Sequence, residues 1–401
     1  MRIALKSEFS LSQIIILTLL LLASMNVLNL YFYFLFAAFW VSVIASFRNF
    51  VVDKLFFVLL VLSFSYLIFD PDSLSSITLI IKRFIFPMCY LMGLNFLNQG
   101  KNDSKTAVSR EKILKTGFLI PAIGAFFHYL LNMAVNINSL NRNTVDVWTG
   151  EIMLATGQAC LAIMAIGVFS ATLFSESSKV SKFISAVGLL GIYTYNLVLA
   201  GRTLIVLSVM ILSVALIYSV KNSDFKRNLN VIIVTIVIIV MIVLAYTQDL
   251  FGFRNWILGS NLSARFDIIQ FDEDSRLANK LLYFSNMLEY PFGGGSLRNY
   301  VGGYAHELYL DVYSDTGVLG YVSIIIFVAF SSINAWNVMK KGNVSKNFKL
   351  LLLCIFVSIL AEFFLEPIVQ GVPWMLCSFC FYSGLLKNVC ISDSENNDLL
   401  V

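Results

Sequence analysis

The residues best equipped for chemistry lie between Gln248 and Gly317. This stretch carries Arg254, Arg265, Arg276, Lys280 and Arg298, nine carboxylates, a Phe292-Gly293-Gly294-Gly295 turn and His306, one of two histidines in the chain. Histidine exchanges a proton near neutral pH, so His306 is the strongest candidate for a general base acting on a hydroxyl. Arginine stays charged at any relevant pH and offers a planar fork of donors that grips phosphate through two parallel bonds. Each arginine alone could simply pair with a neighbouring carboxylate; as a set they fit an anionic ligand. Glu307 follows the histidine directly. Glu362 and Glu366 are four residues apart just before Pro367, share a helix face, and read as partners for the arginines or, for one of them, as a base.

The surroundings of this stretch decide where it works. Of 401 residues, 58% are hydrophobic and only 13% charged, with a mean hydropathy of +0.81, more apolar surface than a soluble core of this size could hide. The fold class expected is an all-α polytopic integral membrane protein. Apolar runs place about twelve transmembrane helices at 10–25, 28–47, 54–69, 75–97, 114–136, 151–175, 183–201, 203–220, 229–247, 314–334, 349–369 and 371–387. The domain division that follows is a bundle over 1–247, a large loop over 248–313, and three further spans with a tail over 314–401. The first run leads straight into the second through Met25 to Asn29, which reads as a first membrane helix rather than a cleaved leader. Six cysteines lie in apolar segments or the tail, so no disulfide framework is expected, and Cys377 and Cys380 read as packing residues. The net charge of +4 gives no nucleic-acid signature.

Orientation follows from the lysines and arginines. Nineteen of 28 fall on one side of the predicted bundle, including Lys101, Lys179, Lys221 and Lys340, which makes that side and both termini cytoplasmic. The large loop then faces outward. The other nine are Lys82, Arg83, Arg142, Arg202, Arg254, Arg265, Arg276, Lys280 and Arg298, of which seven are arginine, against four arginines among the nineteen. Topology needs only positive charge inside, so arginine outside points to a ligand. Lys82 and Arg83 lie about eight residues into the fourth span, which at ~1.5 Å per residue is roughly 12 Å deep. Charge there is costly and faces a cavity unless it snorkels. Arg202, in Leu199-Ala200-Gly201-Arg202-Thr203, sits at a hairpin tip that suits either a fixed phosphate ligand or an interfacial anchor.

Within the loop, Arg276 to Tyr290 has helical spacing, with Leu277, Leu281, Phe284 and Leu288 on one face and Arg276, Lys280 and Tyr283 on another. Such a helix can lie flat on a bilayer, and Tyr290-Pro291 ends it. The glycines that follow let backbone approach a ligand or merely flex, and their spacing matches neither a P-loop nor a dinucleotide fingerprint. A second short helix is predicted from Tyr304 to Asp315, with His306, Leu310 and Tyr313 on one face and Glu307 and Asp311 on the next. Asp272-Glu273-Asp274 reads as a solvated acidic turn rather than a metal site, and His128 as a packing residue.

Arg276, a helix, Tyr290-Pro291-Phe292 with its glycine turn, then His306-Glu307, nine residues, Gly317, two residues and Gly320 resemble the signature of the O-antigen polymerase and O-antigen ligase superfamily. Gly201-Arg202-Thr203 is similar to another of its recurring elements. The resemblance implies a GT-C type membrane glycosyltransferase of the inner membrane whose large loop is periplasmic. Its donor would be an undecaprenyl-diphosphate-linked oligosaccharide, with no metal or other cofactor. Arg83, Arg202, Arg265 and Arg276 would bind the diphosphate, His306 would activate the acceptor hydroxyl, and Glu307, Glu362 and Glu366 would support them. Membrane lipids, a chain-length regulator and a flippase are the other partners implied. The ligase pattern follows the histidine with Asn, Ser or Gln, and Glu307 in that place favours the polymerase over the ligase. A flippase would be expected to show similarity between halves or paired broken spans, and neither is seen.

Overall fold

A computed structural model describes residues 9–70, 74–99, 107–136, 143–222, 240–241, 244–260, 263 and 275–398. The described residues are mostly helical. In order the helices are α1 Leu11–Ser24, α2 Tyr31–Ser46, α3 Lys54–Phe69, α4 Ile77–Arg83, α5 Ile85–Asn95, α6 Ala107–Val135, α7 Ala155–Phe174, α8 Lys179–Leu199, α9 Arg202–Asn222, α10 Phe253–Leu258, α11 Ser275–Asn286, α12 Ser296–Val301, α13 Leu308–Lys341, α14 Lys346–Phe363, α15 Ile368–Gly371 and α16 Pro373–Asp398. The sheet among the described residues is one two-stranded antiparallel ribbon, β1 Thr144–Val145 and β2 Ile152–Met153.

Among the described residues, seven helices are long and apolar enough to cross a bilayer. They correspond to the second, fifth, sixth, seventh, eighth, tenth and twelfth predicted spans. The fourth is a bent pair, α4 and α5. The first and third are shorter apolar helices of 14 and 16 residues, and the eleventh is the 18-residue α14. The ninth lies outside the described residues except for 240–241 and 244–247. Large apolar side chains such as Trp40, Phe57, Ile68, Phe183, Val206 and Trp336 stand exposed on these helices, as expected for surfaces that meet lipid.

The chain divides into two compact units, Met1–Phe127 with Asp274–Phe348 and Ile359–Val401, and His128–Glu273 with Lys349–Ser358. In the first, α16 packs on α5, α13 on α3, and α2 on both α1 and α5. Gly93 and Gly384 bring α5 and α16 into backbone contact: a Cβ on Gly93 would collide with the Phe381 carbonyl, and one on Gly384 with that of Tyr90. Small residues at such a crossing raise van der Waals contact, which drives helix association where lipid is as apolar as the protein. In the second unit α7 packs on α8 and α9. There His128, 1% exposed, places Nε2 2.7 Å from Asp146 Oδ2. Asn136 exchanges two bonds with Val145, and Asn132 accepts from the Val147 amide. These side chains fasten the ribbon to α6, so His128 is an anchor with a charged partner rather than a packing residue alone.

Candidate functional site

The site is built in the first unit around two interruptions of helical structure. Proline donates no backbone N–H and its ring crowds the carbonyl four residues back; at Pro87 that carbonyl belongs to Arg83. The helix accordingly breaks at Phe84, with a bend of 47° between α4 and α5. The freed Arg83 carbonyl accepts from Ser63 Oγ at 2.7 Å. At the break the Arg83 guanidinium lies 4.4 Å over the Tyr66 ring and donates from Nη2 to Asp70 Oδ2 at 2.6 Å. Tyr66 is fully buried, and its hydroxyl has no hydrogen-bond partner among the described residues.

The second interruption is inside α13, where Gly317 (φ 67°, ψ −163°) kinks the helix. The Ser314 and Asp315 carbonyls, released from the helical ladder, accept instead from the Gly295 amide at 2.8 Å and the Gly294 amide at 3.0 Å, while the Val318 amide donates to Pro291 at 3.0 Å. The glycine turn is thus spliced into the helix. A Cβ on Gly293 would press on backbone at Asp315, Thr316 and Gly317, and one on Gly317 would collide with the Pro291 carbonyl. The close approach that the glycines permit is to the protein's own backbone.

Charged side chains gather around this splice. From α12, Arg298 Nη1 donates to Asp315 Oδ1 at 3.0 Å, and Asp315 Oδ2 accepts from Gln370 Nε2 at 2.6 Å. From α11, Arg276 Nη1 donates to Glu366 Oε1 at 3.2 Å, while Lys280 Nζ lies 3.3 Å from Glu307 Oε2 and donates to the Phe364 carbonyl at 2.7 Å. Tyr283, fully buried, donates from its hydroxyl to the Gly303 carbonyl at 2.8 Å. Glu362 has no exposed surface, and neither of its carboxylate oxygens has a hydrogen-bond partner among the described residues. Burial pushes the Glu307 carboxyl above its ordinary range, with Lys280 opposing the rise.

The three arginine pairs share a pattern. The arginine side chains of Arg83, Arg276 and Arg298 are 23%, 35% and 31% exposed, and their carboxylates 18%, 5% and 10%. A guanidinium carries five N–H donors, and in each pair the less exposed carboxylate braces the more exposed arginine.

Several predicted positions change. His306 is not on a helix: it stands at φ 57° ahead of Glu307, the N-cap of α13. The predicted helical face of His306, Leu310 and Tyr313 therefore does not form, because the carboxylate of Asp311 binds the Ala305 and Glu307 amides and delays the helix start. The predicted helix at 304–315 is the first part of α13, continuous through the kink to Lys341. Glu366 falls beyond the end of α14 at Phe363, although its amide still donates to the Glu362 carbonyl at 3.0 Å. Arg202 opens α9 in the second unit, after Ala200 in the left-handed region and a bond from Asn196 Nδ2 to the Gly201 carbonyl at 3.0 Å. Arg265 and the acidic turn at 272–274 lie outside the described residues. Asp70, Asp315 and Gln370 are additions to the site that the sequence reading does not contain, while Arg298 and Asp311 enter that reading only as one of the outward arginines and as a residue on the predicted second helix. Glu307, Asp311 and Asp315 repeat every four residues along one helical stripe, a signal that could have found the last two.

No family model matches the chain, and no curated protein matches it.

Proposed function

We propose that this chain is a metal-independent GT-C membrane glycosyltransferase, an O-antigen polymerase joining undecaprenyl-diphosphate-linked repeat units at the periplasmic face of the inner membrane. The observation that supports this reading is the gathering of three partly exposed, carboxylate-braced arginines in the unit that holds His306, on helices joined to membrane-length apolar spans. His306 adjoins Glu307, Glu307 holds Lys280, and Lys280 lies one turn from Arg276.

In the reaction an acceptor hydroxyl oxygen bonds to the anomeric carbon, with inversion, as the bond from that carbon to the diphosphate oxygen breaks. The electron pair leaves on the lipid diphosphate, and His306 takes the hydroxyl proton. Arg276, with Arg83, supplies N–H donors where charge grows on the leaving group, the largest kind of contribution a polar site makes to a transition state. Arg202 and Arg265 join the proposal through the sequence resemblance. Glu366 holds Arg276 and Glu307 holds Lys280, while Glu362 lines the buried side of the same cluster.

The test is a lipopolysaccharide gel. Deletion should leave a single repeat unit on core, whereas bare core with accumulated lipid-linked polymer would identify a ligase instead. In the deletion strain, Arg202→Ala, Arg276→Ala and His306→Ala should each cut long O-antigen more than any fall in protein abundance accounts for, with ladders compared per amount of protein in the membrane. Normal ladders in both arginine variants would overturn the diphosphate assignment.

A further inference from the structure

His306 holds a backbone conformation that an L-residue adopts at a cost. Its φ is 57°, in the left-handed region where Cβ crowds the chain and a non-glycine residue is strained. A glycine would fill such a turn without strain, and glycines stand nearby at 302 and 303. Strain kept at a side chain with useful chemistry argues that the direction of that side chain matters.

One carboxylate braces this conformation from both sides. Asp311 accepts from the Ala305 amide through Oδ1 at 2.9 Å and from the Glu307 amide through Oδ2 at 3.1 Å, so a single carboxylate spans the amides on either side of His306. Asp311 is 1% exposed, Ala305 fully buried, and Glu307 8% exposed, so solvent does not substitute for either bond. Both bonds are made where water is excluded, and two such bonds offset the strain of one left-handed residue. Asp311 itself is fixed in the first turn of α13, whose kinked body is joined to the glycine turn. The direction of the Cα–Cβ bond at 306 is therefore set by a membrane-length helix rather than by a free loop.

We propose that Asp311 is the positioning residue for His306: by clamping the amides at 305 and 307 it holds the imidazole toward the acceptor hydroxyl. The proposal rests on the reading of His306 as the general base. Without the clamp, residue 306 relaxes to negative φ, and the Cα–Cβ bond swings about the N–Cα axis away from the reacting hydroxyl. Asp311→Asn keeps the volume but turns an NH2 group toward one of the two amides, which releases one arm.

The test uses full-length protein in nanodiscs, with lipid-linked oligosaccharide extracted from the deletion strain as substrate. Asp311→Asn should lower kcat on the order of 10²-fold, the scale of an ångström-sized misplacement of a catalytic group, with KM within about twofold of wild type, since the arginines are untouched. Added to His306→Ala, the same change should lower the residual rate no further. Asp311→Glu, which keeps the charge but moves it by one methylene, should recover only part of the rate; if Asp311→Asn does not accumulate, this variant carries the comparison. Wild-type kcat in a folded Asp311 variant while His306→Ala is inactive would overturn the positioning role alone. Full activity in His306→Ala would overturn the general-base reading beneath it. A stability cycle checks the clamp apart from any activity: Asp311→Asn should cost less in a His306→Gly background, where no strain needs holding, and equal costs would show Asp311 to be only a helix cap.

Discussion

At the scale of single residues, the site is a set of buried carboxylates that hold cations pointing outward. Arg276→Ala strands the Glu366 carboxylate, 5% exposed, and an unpaired buried charge costs far more than the pair contributes. Arg276→Ala should lower unfolding stability by about 1–3 kcal/mol, and adding Glu366→Gln should restore most of that without restoring activity; thermal unfolding in detergent against the gel assay separates the two. Asp146 behaves differently. Burial raises its carboxyl, but the Trp148 and Thr149 amides and His128 outweigh burial and hold it below its ordinary range. A depressed carboxyl contributes stability that is fully present above the unfolded value, about 3.9, and is lost as pH falls toward the folded one. Hydrogen exchange at residues 143–153, corrected for intrinsic rates, should therefore accelerate below about pH 4 and be fast and nearly pH-independent in Asp146→Asn; protection that persists in that variant would remove Asp146 as the anchor.

At the scale of elements, α11 has two faces with different fates. Tyr283 is fully buried, whereas Leu277, Leu281 and Phe284 are 57%, 61% and 55% exposed, and Leu288 just beyond is 84% exposed. That division was legible in the sequence because it depends only on spacing along one helix. The apolar face should rest in the headgroup boundary of a bilayer. A fluorophore on Leu281→Cys, in a background without the native cysteines, should be quenched by lipids carrying a nitroxide near the headgroup, while one on Asn279→Cys should be quenched much less; equal quenching would put α11 in water. What spacing could not show is where α13 begins. Helical periodicity extends back to Tyr304, yet Asp311 captures two amides and withholds them from the ladder, a competition between side chain and backbone that a pattern of apolar residues does not record. The break at Phe84 was open to a sequence reading through Pro87, yet the span expected over 75–97 takes no account of it.

At the scale of the whole molecule, composition and apolar runs identified an all-helical chain with membrane-length spans, since burial of backbone polar groups in lipid leaves few alternatives. The division into two units was not legible, because it depends on which helices touch. Within the first unit Gly93 and Gly384 bring the backbones of α5 and α16 into contact. Gly384→Leu should force α5 and α16 apart and sharply reduce the fraction of protein recovered as a monodisperse peak from detergent, whereas Gly191→Leu, at a position with open space around it, should leave recovery near wild type. Similar recovery of the two variants would show that this crossing does not organise the bundle.

The splice between the glycine turn and α13 bears on how this sequence is free to vary. Gly293 and Gly317 are 24 positions apart in the chain, yet each occupies the space that a side chain on the other strand of the splice would need. They behave as one heritable character rather than two. Divergence that keeps the kink must keep both, and a lineage that loses either must rebuild the turn, the kink and the first turn of α13 together. In a saturation-mutagenesis library the two positions should therefore reject even alanine, and no single substitution at one should rescue a change at the other.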